Sequence, residues 1–251
     1  VIAQVLGQSR TKTPKLFNKA VMSSPYFPRT YHYSSPEAEK LYKDVTTWTG
    51  CDNKTDSLQC LKTVDVKTLQ FAAWKMGADY QYTTSTFTWA PVIDDTFLVE
   101  PLTSVTTKGD LSIDLAYGVY NSHEGESFVP HDLEKSTSPR FNSSTAGFET
   151  WLRGFLPNFN ETLLEHVKQL YPNAGKTETF TFDTAFTRAG VIYLDLLLAC
   201  PTFWLSNGAK KGGWMTYYDI PPGLHALDTV YVSYNSKASR LTTESVINSG
   251  V

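Results

Sequence analysis

Three observations on the 251-residue chain predict an α/β architecture. Short apolar and β-branched runs alternate with longer segments of helical periodicity. Two of those short runs end in loops that carry an ionisable residue. The composition, 41% hydrophobic, 14% aromatic and 19% charged, suits one large or two small globular domains and excludes a collagen-like repeat or a disordered tail.

Taken in order, residues 1–8 read as an apolar helix already under way, and residues 19–24 as a short buried strand closed by turns at Pro25 and Pro28. Ser34-Ser35-Pro36 supplies a cap and a proline at the first helical position, so a helix runs through Ala38, Leu41, Val45 and Trp48 to Gly50. Short helices follow over residues 57–63 and 66–75. Residues 87–93 are aromatic and β-branched and contain Pro91, so they read as extended and buried, ending at an Asp94-Asp95 turn. Residues 111–120 read as a strand that stops at the polar run 121–125. Two helices come next, over 147–156 and 161–170, the second capped by Asn160. A long helix follows over 185–205, and its most apolar window, residues 189–205, reads as a buried core helix. Asp195 interrupts it and Pro201 ends its regular part, short of the ~18 clean apolar residues of a membrane span. Gly212-Gly213 then precedes a strand over 214–220, and Pro221-Pro222-Gly223-Leu224 forces a loop that ends at His225.

Lys and Arg number 22 against 25 Asp and Glu, a net charge of −3 without a block of like charges, so nothing attracts a nucleic-acid backbone or an anionic membrane. None of the five His sits in a zinc spacing, and no Gly-rich phosphate loop occurs; neither a metal nor a nucleotide cofactor is expected. Cys51 and Cys60 flank a polar, turn-rich stretch short enough for a disulfide, the alternative being two unrelated thiols. Cys200, in an apolar stretch, reads as a small buried hydrophobe. Sequons at Asn53, Asn142 and Asn160 are candidate glycosylation sites, and with the disulfide they point to a secreted protein.

The chemistry concentrates in two places. Glu124 and His225 each lie in the loop just beyond a strand, where α/β folds assemble their sites. A carboxylate preceding a histidine matches the acid and base of a Ser…Glu…His triad, in which the acid orients the imidazole; the alternative is two ordinary loop residues. The nucleophile is missing, because no G-x-S-x-G string occurs. Gly125-Glu126-Ser127-Phe128-Val129 places Val where a small residue is needed and Pro130 follows at once, so Ser127 is a poor candidate.

With these residues in view, the chain resembles the type-B carboxylesterase/lipase family, which includes cholinesterases and fungal lipases. Residues 16–24, Cys51 and Cys60, and Ala90-Pro91-Val92-Ile93-Asp94-Asp95 resemble the segment after that family's nucleophile helix, its small-loop disulfide and its P-V-[IV]-D-[GD] turn. Glu124-Gly125 with Phe128 is similar to [DN]-E-G-x-x-F, and residues 221–228 to P-P-x-x-H-G-x-D. The resemblance implies an α/β-hydrolase fold, a mostly parallel central sheet flanked by helices, with Glu124 as triad acid and His225 as base. It also implies that residues 1–251 are the C-terminal portion of one such domain, with the Ser and the oxyanion loop before Val1; the absent initiating Met agrees. The expected activity is carboxylic ester hydrolysis on a small-molecule or lipid ester, with no cofactor, and the alternative is a catalytically inactive cholinesterase-like adhesion or binding protein. His123 and Ala226 depart from the family pattern, standing where Asp or Asn and Gly are usual. The aromatic residues Phe71, Trp74, Tyr80, Tyr82, Phe87 and Trp89 read as core, the alternative being a pocket lining.

Overall fold

The computed structural model describes residues 1–10, 15–109, 111–177 and 181–232. The first half of the chain runs α1 (Ile2–Arg10), β1 (Lys19–Ser23), α2 (Pro36–Thr49), α3 (Ser57–Thr63), α4 (Val66–Thr84), α5 (Leu102–Thr107) and β2 (Leu115–Asn121). The second half runs α6 (Thr145–Phe155), α7 (Glu161–Leu170), β3 (Gly175–Lys176), β4 (Thr181–Phe182), α8 (Ala185–Leu194), α9 (Cys200–Gly208), β5 (Gly213–Tyr218) and α10 (Thr229–Val232). Short 3-10 turns occupy Gly125–Ser127 and His131–Glu134.

The strands β1, β2 and β5 form a parallel sheet with β2 in the centre. Ser23 lies opposite Val119, and Asn121 opposite Tyr218, so all three strands end at one edge. One face is packed: Ala20, Met22 and Ala116 join Val5, Leu102, Ile113 and Leu205 in a core. There α9 lies so close to β2 that a Cβ on Gly118 would meet Thr202 Cγ2 at 2.4 Å. The opposite face presents the row Val21, Tyr117, Trp214, with Val21 75% and Trp214 61% exposed. A second core joins α6 to α8 through Phe148, Trp151, Phe155, Ile192 and Tyr193. The Trp151 indole N–H donates to Ser85 Oγ at 2.8 Å.

Local chemistry explains the helix ends. Ser35 accepts the Ala38 N–H ahead of Pro36, Gly50 closes α2 in the left-handed region at φ 72°, and Asn160 accepts the Leu163 N–H. Four sequence expectations need correction. The helix expected over 66–75 continues to Thr84, because tertiary packing overrides the weak helix formers at its end: Tyr82 packs on Phe141 and donates to Asp132. Residues 87–93 are neither a regular strand nor buried throughout. Thr86 and Thr88 turn inward while Phe87 and Trp89 stay exposed, and only Ile93 makes a bridge, to His32. Phe71 and Trp74 are likewise exposed rather than core.

The third correction concerns residues 185–205. Helical backbone runs on through Pro201 to Gly208, with a π turn over Asp195–Ala199. Pro201 has no N–H to give the Leu197 carbonyl, and the Phe27 N–H donates there instead, at 2.9 Å. By length and composition this stretch could cross a membrane, but 67% of its apolar window is buried inside the fold. Lastly, Cys200 is half-buried rather than buried, and burial still pushes its thiol up.

Cys51 and Cys60 are joined, clipping the end of α2 to α3. Closing a loop with a sequence separation of 9 removes unfolded-state entropy. Reduction, or replacement of both cysteines by serine, is expected to lower the unfolding free energy by about 2–3 kcal/mol, measured by urea denaturation with and without dithiothreitol.

Candidate functional site

Past Asn121 the chain turns through Ser122 and His123 into the Gly125–Ser127 turn, with Glu124 at its start. Gly125 approaches α8 so closely that a Cβ would lie 1.9 Å from the Gly190 carbonyl oxygen, and Glu124 is left with no exposed surface. A buried carboxylate persists only when its oxygens are paired. Oε2 accepts the Asn121 backbone N–H at 3.0 Å, and Oε1 accepts a hydrogen bond from Nδ1 of His225.

The loop after β5 brings His225 there, and backbone groups lash it to the β2 loop. The Ser122 N–H donates to Tyr218 O at 3.0 Å and the His123 N–H to Gly223 O at 2.9 Å. Asn121 Nδ2 donates to Leu224 O at 2.7 Å and to Asp228 Oδ1 at 3.3 Å, while Ser23 Oγ donates to Asp228 Oδ2. Gly223 is required twice over: its φ is +62°, and a Cβ would fall 2.0 Å from Ser122 Oγ.

The Phe128 ring stands edge-on to the imidazole at 4.8 Å between centroids and stacks on Tyr193 at 5.0 Å. With Nδ1 engaged, Nε2 is the ring nitrogen left for another partner. The side chain is 39% exposed and lines a cavity of about 380 Å³ with Ser24, Tyr26, Phe87 and Phe128. The hydrogen bond to Glu124 raises the His225 pKa above 6.5; burial opposes this, and the charges of Glu124 and Asp228 add to the rise.

Among the other sequence candidates, Ser127 is exposed, its N–H donates to Glu124 O, and it does not line this cavity. His32 joins two loops through Asp95 and Ser34, His131 stacks on Phe186, and His166 is exposed. Asn53 and Asn160 are exposed and Asn142 is half-buried. No group of three or more potential metal ligands occurs among the described residues. Sequence reasoning missed Asn121, which ties both loops, and Ser24, which sits at φ 49° with its Oγ buried and lines the cavity. The polar run 121–125, which begins on the last residue of β2, held the signal for Asn121.

The two departures from the family pattern have distinct geometries. His123 turns its ring to Glu126, Nδ1 to Oε1 3.1 Å, and leaves the Glu124 carboxylate to its other partners. Ala226 has φ 69°, in the region that favours glycine.

A family model described as the carboxylesterase family matches residues 1–220. The chain belongs to the carboxylesterase family. This carboxylesterase-family chain is 23% identical over 128 residues to carboxylesterase patB of Aspergillus clavatus, covering 51% of this chain and 21% of that protein. It is 23% identical over 224 residues to a secreted lipase of Arthroderma benhamiae, covering 83% of this chain and 38% of the lipase. The crystal structure of Aspergillus niger EstA superposes with a TM-score of 0.70 at 21% identity, over 98% of this chain and 49% of EstA. A PNB esterase structure gives 0.65 at 20% identity, over 96% and 49%. The fold is that of the α/β-hydrolases, and the chain spans about half the length of these structures and less of the two sequence relatives.

Two predictions follow from this carboxylesterase-family geometry. A left-handed backbone costs alanine more than the extra unfolded-state freedom of glycine, so Ala226→Gly is expected to raise the unfolding free energy by about 1 kcal/mol in urea titrations. Because the folded pKa of His225 is raised, the Glu124 pair contributes stability that is fully present below pH 6.5 and is lost as pH rises through the folded value. An NMR titration should place the His225 midpoint above 6.5, and Glu124→Gln should lower it.

Proposed function

We propose that the intact protein containing this chain is a carboxylic ester hydrolase in which His225 is general base and acid and Glu124 orients it. The observation that carries this reading is the hydrogen bond between the buried Glu124 carboxylate and the half-exposed His225, made at the sheet edge by residues 101 apart in sequence. Family membership and the relatives described as a carboxylesterase and a secreted lipase support the same chemistry.

In this reading a serine hydroxyl from the remainder of the domain attacks the ester carbonyl carbon while Nε2 takes its proton. The alcohol leaves as its C–O bond breaks, receiving the proton back from Nε2. Water then attacks the acyl-enzyme, again giving a proton to Nε2, which returns it to the serine as the acid departs. Each cycle consumes one ester and one water and releases one acid and one alcohol. Backbone N–H groups outside this chain would stabilise the oxyanion, and the 251 residues alone would be inactive.

The unpacked sheet row Val21, Tyr117, Trp214 supports reading residues 1–251 as one portion of a single domain whose remainder covers that face. The Cys51–Cys60 disulfide, the secreted lipase relative and the sequons at Asn53, Asn142 and Asn160 support secretion and glycosylation.

The test uses the intact protein and 4-nitrophenyl acetate. His225→Ala is expected to abolish turnover, and Glu124→Gln to lower kcat by about 10³- to 10⁴-fold. An intact protein that does not hydrolyse the ester, or whose activity survives His225→Ala, overturns the proposal.

A further inference from the structure

We propose that the cavity between α2 and α4 binds a small apolar monocarboxylate, held at its carboxylate by Arg29. The cavity, about 740 Å³, has the size of an ordinary small-molecule site and shares no lining residue with the one at His225. Residues 29–31, α2, α4 and the end of α6 enclose it, so none of its lining comes from α1 or from the open sheet row. The inference stands independently of the ester-hydrolase reading.

Arg29 supplies the anchor for an anion. It is half-buried and makes no ion pair among the described residues: Nη2 donates to Thr86 Oγ1 at 2.8 Å, and Nε is buried without a partner. A guanidinium presents a planar fork of N–H donors that matches a carboxylate, and an unsatisfied buried donor carries a cost that a bound anion removes. The Tyr31 side chain lies close by. Burial pushes its phenol above the ordinary pKa, the Arg29 charge opposes the rise, and Tyr80 and Glu37 add to it. Tyr31 therefore keeps its proton and offers an O–H donor near the guanidinium.

Charge balance sets the class of guest. Of the charged groups on the lining, Lys40 is paired with Asp44, and Asp79 lies 3.5 Å from Arg140. Arg29, Lys75 and Glu37 remain, two cations against one acid, which a single negative charge balances. A dianionic phosphate would need a third cation. Apolar surface completes the lining: Leu41 and Met76 belong to the small core that joins α2 to α4, and Trp48 adds an indole. These walls favour a guest whose body is apolar.

The experiment is isothermal titration of the intact protein with hexanoate, hexanol and hexylammonium, which share a chain and differ in charge. Hexanoate is expected to bind about tenfold or more tightly than the other two. Arg29→Met is expected to weaken hexanoate by about tenfold or more, Lys75→Glu, at an exposed position of α4, to weaken it severalfold, and Glu37→Gln to tighten it. Absence of hexanoate binding, hexanol binding as tightly as hexanoate, or a hexanoate affinity unchanged in Arg29→Met overturns the inference; the last result places the acid elsewhere, such as the His225 cavity. If Arg29→Met does not fold, an unchanged affinity in Lys75→Glu overturns it equally.

Discussion

The arrangement at the sheet edge depends on the burial of the Glu124 carboxylate. With no exposed surface, its charge carries a desolvation penalty of several kcal/mol, which only close, well-directed donors offset. One donor, the Asn121 N–H, comes from the same turn and costs little to organise. The other must come from His225, on a separate loop, so that loop has to be held within hydrogen-bond reach. The contacts of Ser122, His123 and Asn121 with residues 218–228 do this: two are backbone bonds that do not depend on side-chain rotamers, and two come from the Asn121 side-chain amide. The imidazole is thus positioned by the fold itself, as the proposed acid–base role requires.

Close backbone approach makes the burial possible. Gly125 against the Gly190 carbonyl lets the turn sink onto α8, and Gly223 beside Ser122 lets the two loops cross. A side chain at either place would lift Glu124 or His225 away from its partner. The helical stretch that receives the turn has its own irregularity, the π turn and Pro201, and the carbonyl released there anchors residues 26–27 at the mouth of the cavity. One proline therefore links the α8–α9 layer to the wall of the site.

The strands, caps and paired loops were legible in the sequence because they are local: a short apolar run before Pro25 in residues 19–24, Ser35-Pro36 before α2, and prolines and glycines after β5 each act within a few residues. Glu124 and His225 could be singled out for the same reason, each ending a recognisable strand. Their pairing was expected only from chain order and the family resemblance and not from any local pattern, since 101 residues separate them and the parallel register of β2 and β5 brings their loops together. The Gly125–Gly190 contact, the extension of α4 beyond Lys75 and the exposure of Phe87 and Trp89 are likewise outcomes of packing between distant elements. Residues 87–93 show the limit clearly: an aromatic, β-branched composition signals burial, yet Thr88 is buried and the rings of Phe87 and Trp89 line cavities.

The two departures from the family pattern fall beside Glu124 and His225, and the geometry explains why both are tolerated. At position 123 the backbone N–H makes the structural contact, to Gly223 O, and any residue except proline supplies it. The side chain is then free to differ, and the His123 ring settles on Glu126 without competing for Glu124. At position 226 it is the conformation that matters, because a left-handed residue directly after His225 reverses the chain and returns Asp228 to Asn121 and Ser23. Alanine adopts that conformation at a penalty which its lower unfolded-state entropy partly cancels. The bonds on either side of it over-determine the loop, so the strain remains in the backbone rather than displacing the imidazole.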